Sequence, residues 1–119
     1  MKSVKYTNSL KGSVNFKRVL KQGIYTSSNN ITMYVKKTLT QENKNLLGIC
    51  VSKKHGNSVI RNKLKRWAKE AYYTYENRID KNYAIIILYK KGIDINNLSF
   101  NVVKDEIRDL FIKNELLHE

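Results

Sequence analysis

Glu42, Glu70, Glu76 and Asp80 are the only acids among the first 92 residues of this 119-residue chain. A metal-dependent hydrolase needs carboxylates clustered around its ions, and these four are scattered. Glu76 and Asp80 alone are spaced to share a helical face, but the helix that would align them is expected to end between them. His55 and His118 lie far apart in sequence, and Cys50 sits in an apolar stretch without a recognisable partner. The expectation is that this chain holds no catalytic residue and no metal ligand.

What the sequence does concentrate is positive charge. Val51 to Glu70 reads VSKKHGNSVIRNKLKRWAKE, with 7 basic residues in 20 and a single acid at its end. Advancing 100° per residue places Ile60, Leu64, Trp67, Ala68, Ala71 and Tyr75 in one apolar stripe, the expected core face. Arg61, Asn62, Lys65, Arg66 and Lys69 fall on the opposite arc. Like charges at i and i+4 destabilise a helix by roughly 0.2 to 0.5 kcal/mol per pair, and a cation in the first turn opposes the helix dipole. Stability alone therefore does not select the pattern, whereas an anionic partner does. Lys53 and Lys54 precede the helix, and His55, Gly56 and Asn57 form the turn into it, with Asn57 or Ser58 as N-cap.

The whole chain carries the same bias. Its net charge is +13 with a pI near 9.9, and Met1 to Gly92 holds 20 basic residues against 4 acids, whereas Ile93 to Glu119 holds 3 against 6. A hydrophobic content of 41% is that of a folding chain, not of a basic tail. No apolar run reaches the ~18 residues of a spanning helix, the N-terminus lacks the apolar core of a signal peptide, and the lone cysteine fits a reducing compartment. The expected location is the cytoplasm, with no membrane partner. A membrane-surface role would also need the Leu64 and Trp67 face free, and that face is required to cover a sheet.

The length suits one domain spanning residues 1–119, with 1–8 expected to be flexible. Ser13 followed by VNFKRVLKQ and Gly23 predicts a first helix capped by the Ser13 hydroxyl and ended by the glycine. ITMYVKKT (Ile31 to Thr38) and LLGICVSK (Leu46 to Lys53) predict strands, Ser58 to Asn77 the basic helix, and YAIIILYK (Tyr83 to Lys90) an inner strand. Leu98 to Leu117 predicts a closing helix. The expected fold is α+β: a single-domain α/β sandwich with a small, mostly antiparallel sheet and three helices, in the order helix, strands, helix, strand, helix.

KKHGNSVIRNKLKRWAKEAY resembles the signature of the bacterial ribonuclease P protein subunit, a KKxGNAVxRNRxKRxxREAF-like run at a strand-to-helix junction. LKGSVNFKRVLKQG, ITMYVKKT, LLGICVSKK, YAIIILYKK and LSFNVVKDEIRDLF are similar to that family's remaining elements in the same order. The resemblance implies a protein that assists a catalytic RNA in Mg²⁺-dependent removal of the 5′ leader from precursor tRNA. One copy would serve each RNA subunit, and the RNA would hold the metal ions.

The resemblance also implies that Lys53, Lys54, Asn57, Arg61, Asn62, Lys63, Lys65, Arg66 and Lys69 face the catalytic RNA. An open cleft lined by Phe16, Thr32, Tyr34, Ile87 and Tyr89 would receive the single-stranded leader. Strand alternation puts Thr32 with Tyr34, and Ile87 with Tyr89, on shared faces. The family fold further implies a left-handed strand, helix, strand crossover, against the general rule. Lys63 and Lys69 stand where relatives often have arginine, keeping charge without the planar fork. Tyr89 stands where a basic residue is common. The alternatives are a general RNA-binding protein, such as a small ribosomal protein, and a nuclease in its own right.

If the basic face engages roughly 6 to 10 phosphates, RNA affinity falls by about 10³ to 10⁵ between 50 and 200 mM salt. A flat salt response in filter binding would exclude that face as the contact.

Overall fold

In the computed structural model, residues 6–39 and 42–118 are described. The strands are β1 (Thr7–Ser9), β2 (Ile24–Ser27), β3 (Ile31–Lys37), β4 (Asn45–Cys50) and β5 (Tyr83–Tyr89), and the helices α1 (Ser13–Gln22), α2 (Ser58–Tyr75) and α3 (Phe100–Lys113). They form one five-stranded sheet in the order β1-β4-β5-β3-β2. Helix α1 packs on one face of it, and α2 and α3 pack together against the other.

The sheet is mixed. β2 with β3 and β3 with β5 are antiparallel, whereas β1 with β4 and β4 with β5 are parallel. The reason is the connection: β4 reaches its neighbour β5 through the whole of α2, a crossover that returns the chain in the same direction. Strand β5 is thereby central and covered on both faces, which explains its continuous apolar run.

Residues 1–5 of the segment expected to be flexible lie outside the described residues, and Thr7 and Asn8 are strand residues. Three residues are too short for a periodicity signal, and tertiary hydrogen bonds hold them. The buried Thr7 hydroxyl donates to Glu76 Oε2 at 2.6 Å and lies 2.6 Å from the Tyr72 hydroxyl. Asn45 extends the network, donating to the Tyr72 hydroxyl and the Asp80 carbonyl and accepting from the Tyr83 N–H. Burial pushes the Tyr72 phenol up to about 12, so it stays neutral in this setting.

Ser13 is not the cap of α1. Gly12 occupies that position, with no side-chain cap. Gly23 does follow α1, but in extended conformation; it is needed for space, since a Cβ there would lie 2.6 Å from the Val19 carbonyl oxygen. α2 ends at Tyr75 and tightens into a 3₁₀ turn over Glu76–Arg78. α3 is shorter than its hydrophobic spacing implied, starting after the Ser99 cap and ending at Lys113, because Leu116 and Leu117 reach the core from a turn through left-handed Glu115.

Thr7→Val keeps the shape of the side chain but leaves the Glu76 carboxylate without its hydroxyl donor. Chemical denaturation is expected to show a loss of about 1 to 3 kcal/mol. An unchanged midpoint would mean that β1 is not held by this network.

Candidate nucleic-acid interface

The start of α2 is fixed by a turn whose polar groups are all used locally. Ser52 caps a 3₁₀ turn, Lys53–His55, by accepting from the Lys54 N–H. The buried His55 ring accepts from the Ser52 N–H at Nδ1, 3.0 Å, and its Nε2 donates to the Lys90 carbonyl, 2.8 Å. Since a carbonyl only accepts, the ring is the neutral Nε2–H tautomer. Gly56 has φ 145°, and a Cβ there would crowd Ile60. Asn57 is the N-cap of α2, accepting from the Ile60 N–H at 3.0 Å. The turn thus sets Lys53 and Lys54 outward, both exposed, one step before the helix.

Along α2 the buried residues are Leu64, Ala68, Ala71, Tyr72 and Tyr75, with Ile60 and Trp67 partly covered. Tyr72 belongs to this stripe and was absent from the expected one. On the opposite arc Asn62, Lys65, Arg66 and Lys69 are exposed and Arg61 is half-buried. None of these cations forms an ion pair with a carboxylate among the described residues. The Arg61 Nε is buried and has no hydrogen-bond partner. Lys63 departs from the arc: it is half-buried, its ammonium 5.0 Å from the Trp67 ring centroid, an i,i+4 pairing that turns it toward the flank of the helix.

The second expected surface divides. In the β3–β5 register Thr32 faces Leu88 and Tyr34 faces Ile86, while Ile87 pairs with Met33 and Tyr89 with Ile31. Thr32 and Tyr34 therefore share the α1 side of the sheet with Phe16. Ile87 and Tyr89 do not line that cleft. They point the other way, fully covered by α2 and α3, and the Tyr89 hydroxyl donates to the Leu64 carbonyl at 2.7 Å. Alternation along each strand was read properly, but which β5 set shares a side with Tyr34 depends on cross-strand register, which one sequence does not display.

The β5 residues on the α1 side are Ile86, buried beneath the helix, and Leu88, partly open. Leu88 is the cleft residue missed from the sequence. Phe16 lies over Gly48, where a Cβ would come within 2.5 Å of the ring. The absence of a side chain on β4 is what lets α1 sit this close.

Beyond α1, a cavity of about 350 Å³ opens at the C-terminal ends of parallel β4 and β5. Its apolar lining includes Ile49, Val51 and Leu88, and Lys65 and Lys91 bring it two ammonium groups. Burial pushes the Cys50 thiol in its wall up, with Lys65 pulling partly back. Among the described residues no three His, Cys, Asp or Glu side chains gather as a metal site, and no helix is long and apolar enough to cross a membrane.

Comparison with known proteins gives this fold and motif a family. The ribonuclease P family model matches residues 4–115. The chain belongs to the ribonuclease P protein family. The protein component from Dictyoglomus turgidum is 33% identical over 109 residues, covering 91% of this chain and 89% of the relative. That from Bacillus velezensis is 33% identical over 113 residues, covering 95% and 94%.

Among solved structures, the ribonuclease P protein from Thermotoga maritima superposes with a TM-score of 0.73 at 25% identity, over 82% of this chain and 89% of that one. The Staphylococcus aureus protein gives 0.74 at 18% identity, over 92% and 97%, and shares the fold. As a family member, the chain is a protein subunit of ribonuclease P, an RNA-binding component of tRNA processing.

The opposite facing of neighbouring β5 residues can be tested directly. Ile87→Ala is expected to lower unfolding free energy by about 2 to 5 kcal/mol, and Leu88→Ala, at a partly exposed site, by clearly less. Denaturant titrations giving the reverse order would refute the register.

Proposed function

We propose that this subunit holds two RNA segments on two surfaces while the hydrolytic centre resides in the RNA subunit of ribonuclease P. The outer arc of α2, with Lys53 and Lys54 before it, takes the phosphates of the catalytic RNA. The α1 side of the sheet, at Phe16, Thr32, Tyr34 and Leu88, takes the unpaired 5′ leader of precursor tRNA. The observation that carries this reading is the set of cations on α2, exposed opposite the buried stripe and unopposed by any carboxylate among the described residues.

Asn57 takes a supporting part, its carbonyl already committed to the helix cap. Lys63, turned onto Trp67, contributes less than the five residues of the arc. On the sheet side, aromatic rings beside cations suit a strand of any sequence, because every base has a face on which to stack.

The chain's own residues do not fit Mg²⁺. A hard divalent cation takes oxygen ligands, mostly carboxylates and carbonyls, whereas this face presents ammonium and guanidinium groups. Magnesium ions then belong with the RNA phosphates, and the protein's contribution is to bind and position. We propose further that the subunit works in the cytoplasm, one copy to each RNA subunit.

Two sets of variants separate the surfaces. Arg61→Ala with Lys65→Ala is expected to weaken association with the RNA subunit and to lower the salt slope by about one unit for each phosphate no longer engaged. Phe16→Leu with Tyr34→Ala is expected to leave that association and instead reduce the preference for precursor over mature tRNA by about 5- to 100-fold. Equal defects from both sets, measured by binding at fixed salt, would sink the two-surface assignment. Cleavage by the RNA-free protein that is abolished by replacing one of its acids would sink the placement of the active centre.

A further inference from the structure

Tyr25 sits on edge strand β2 with 65% of its surface exposed. It was not among the expected site residues. In the β2–β3 register it lies directly opposite Tyr34, and the two ring centroids are 5.6 Å apart with the planes tilted by 36°. Because paired residues share a face, Tyr25 extends outward the same side of the sheet that carries Tyr34, Thr32 and Leu88. Helix α1 does not cover this end. It packs over β3 and β5, with Phe16 reaching Gly48 of β4 and Val19 beside Ala84 and Ile86, and leaves the Tyr25 ring on β2 open.

The chain segment that carries the pair has one sign. From Lys11 to Thr38 the sequence carries six Lys or Arg residues and no acid. Lys21 lies in the last turn of α1, which runs straight into β2, and Lys36 lies two residues along β3 from Tyr34, on the same side. An exposed ring, anchored against a half-buried one with Lys36 on the same side of the sheet, suits an unpaired base and its phosphates.

We propose that Tyr25 and Tyr34 form a two-ring stacking step that takes a base of single-stranded RNA beyond the segment held beside α1. The cleft then continues across β3 to the edge of the sheet, and Tyr25 is a binding residue for the leader nucleotides farther from the tRNA. This rests on the reading that the α1 side of the sheet receives the leader.

The test uses holoenzyme assembled from the full chain and its RNA subunit, with precursor tRNAs whose leaders are lengthened one nucleotide at a time. With unsubstituted protein, affinity is expected to rise with leader length in successive steps. Tyr25→Thr keeps a strand-forming residue and is expected to remove only the last step, a loss of about 5- to 100-fold for long leaders, with short-leader binding unchanged. Tyr25→Phe is expected to restore it, since the ring and not the hydroxyl stacks. A fluorescent purine analogue placed at the outer leader positions should be quenched by the unsubstituted and Tyr25→Phe proteins and not by Tyr25→Thr.

If Tyr25→Thr follows the unsubstituted protein at every length while Tyr34→Ala does not, the extension is wrong and the inner cleft stands. If leader length has no effect even for the unsubstituted protein, the underlying reading fails and this inference fails with it. Loss of short-leader binding by Tyr25→Thr, with a lowered melting temperature, would make Tyr25 a structural residue and overturn the proposal.

Discussion

The rotation of α2 about its own axis decides where every cation of the interface points, and that rotation is set from inside. Leu64, Ala68, Ala71 and Tyr72 have no exposed surface, and the Leu64 carbonyl accepts from the Tyr89 hydroxyl across the same contact. Burying a single leucine contributes roughly 1.5 to 3 kcal/mol. The repulsion among like charges one turn apart costs a few tenths per pair. The core therefore wins, and Arg61, Lys65 and Lys69 are held together outward despite their mutual repulsion. A turn of one residue about the helix axis would carry a cation toward the sheet, where desolvation would cost several kcal/mol.

The same packing explains why Tyr89 does not face the α1 side of the sheet. Its ring is enclosed, burial pushes its phenol well up, and its hydroxyl is spent on α2. Where a basic residue at the end of β5 would reach outward, this chain keeps an aromatic inward. The positive charge of that region comes instead from Lys91, just past the strand, and from Lys65 across the cavity. The β5 end is thus a joint between core and surface, with the His55 to Lys90 hydrogen bond tying it to the turn before α2.

Legibility in the sequence followed the range of the forces involved. α2 was readable in detail because a helix carries its own geometry: residues a turn apart face alike whatever the rest of the fold does, and only Tyr72 and the tilt of Lys63 escaped. β5 was readable as an inner strand from its apolar run, but which of its residues faces α1 is a property of pairing with β3, settled by contacts far apart in sequence. β1 was unreadable because three residues have no period, and what holds Thr7 is a hydroxyl hydrogen-bonded to Glu76 and Tyr72, far along the chain. The Ser13 cap failed for a local reason: Gly12 takes the position before the helix with φ 88°, a left-handed backbone that favours glycine, and the serine falls inside the helix. The family motif supplied what physics on one sequence could not, the identity of an RNA partner.

The parallel pairing of β4 and β5 bears most directly on how two RNA surfaces relate. Parallel neighbours end on the same edge of the sheet, and crevices that receive ligands form outside such carboxyl ends. Here that edge carries the cavity, with Leu88 from the α1 side and Lys65 from the outer arc of α2 both in its lining. Had β4 and β5 been antiparallel, their ends would have been separated by the length of a strand, and the chain after β4 would have entered α2 at the opposite end of the sheet. The crossover through α2 is therefore what brings the start of the cationic helix beside the open end of the cleft. Under the two-surface reading, an RNA anchored on the arc and a strand lying along the sheet meet at Lys65, where one ammonium can face phosphates of both.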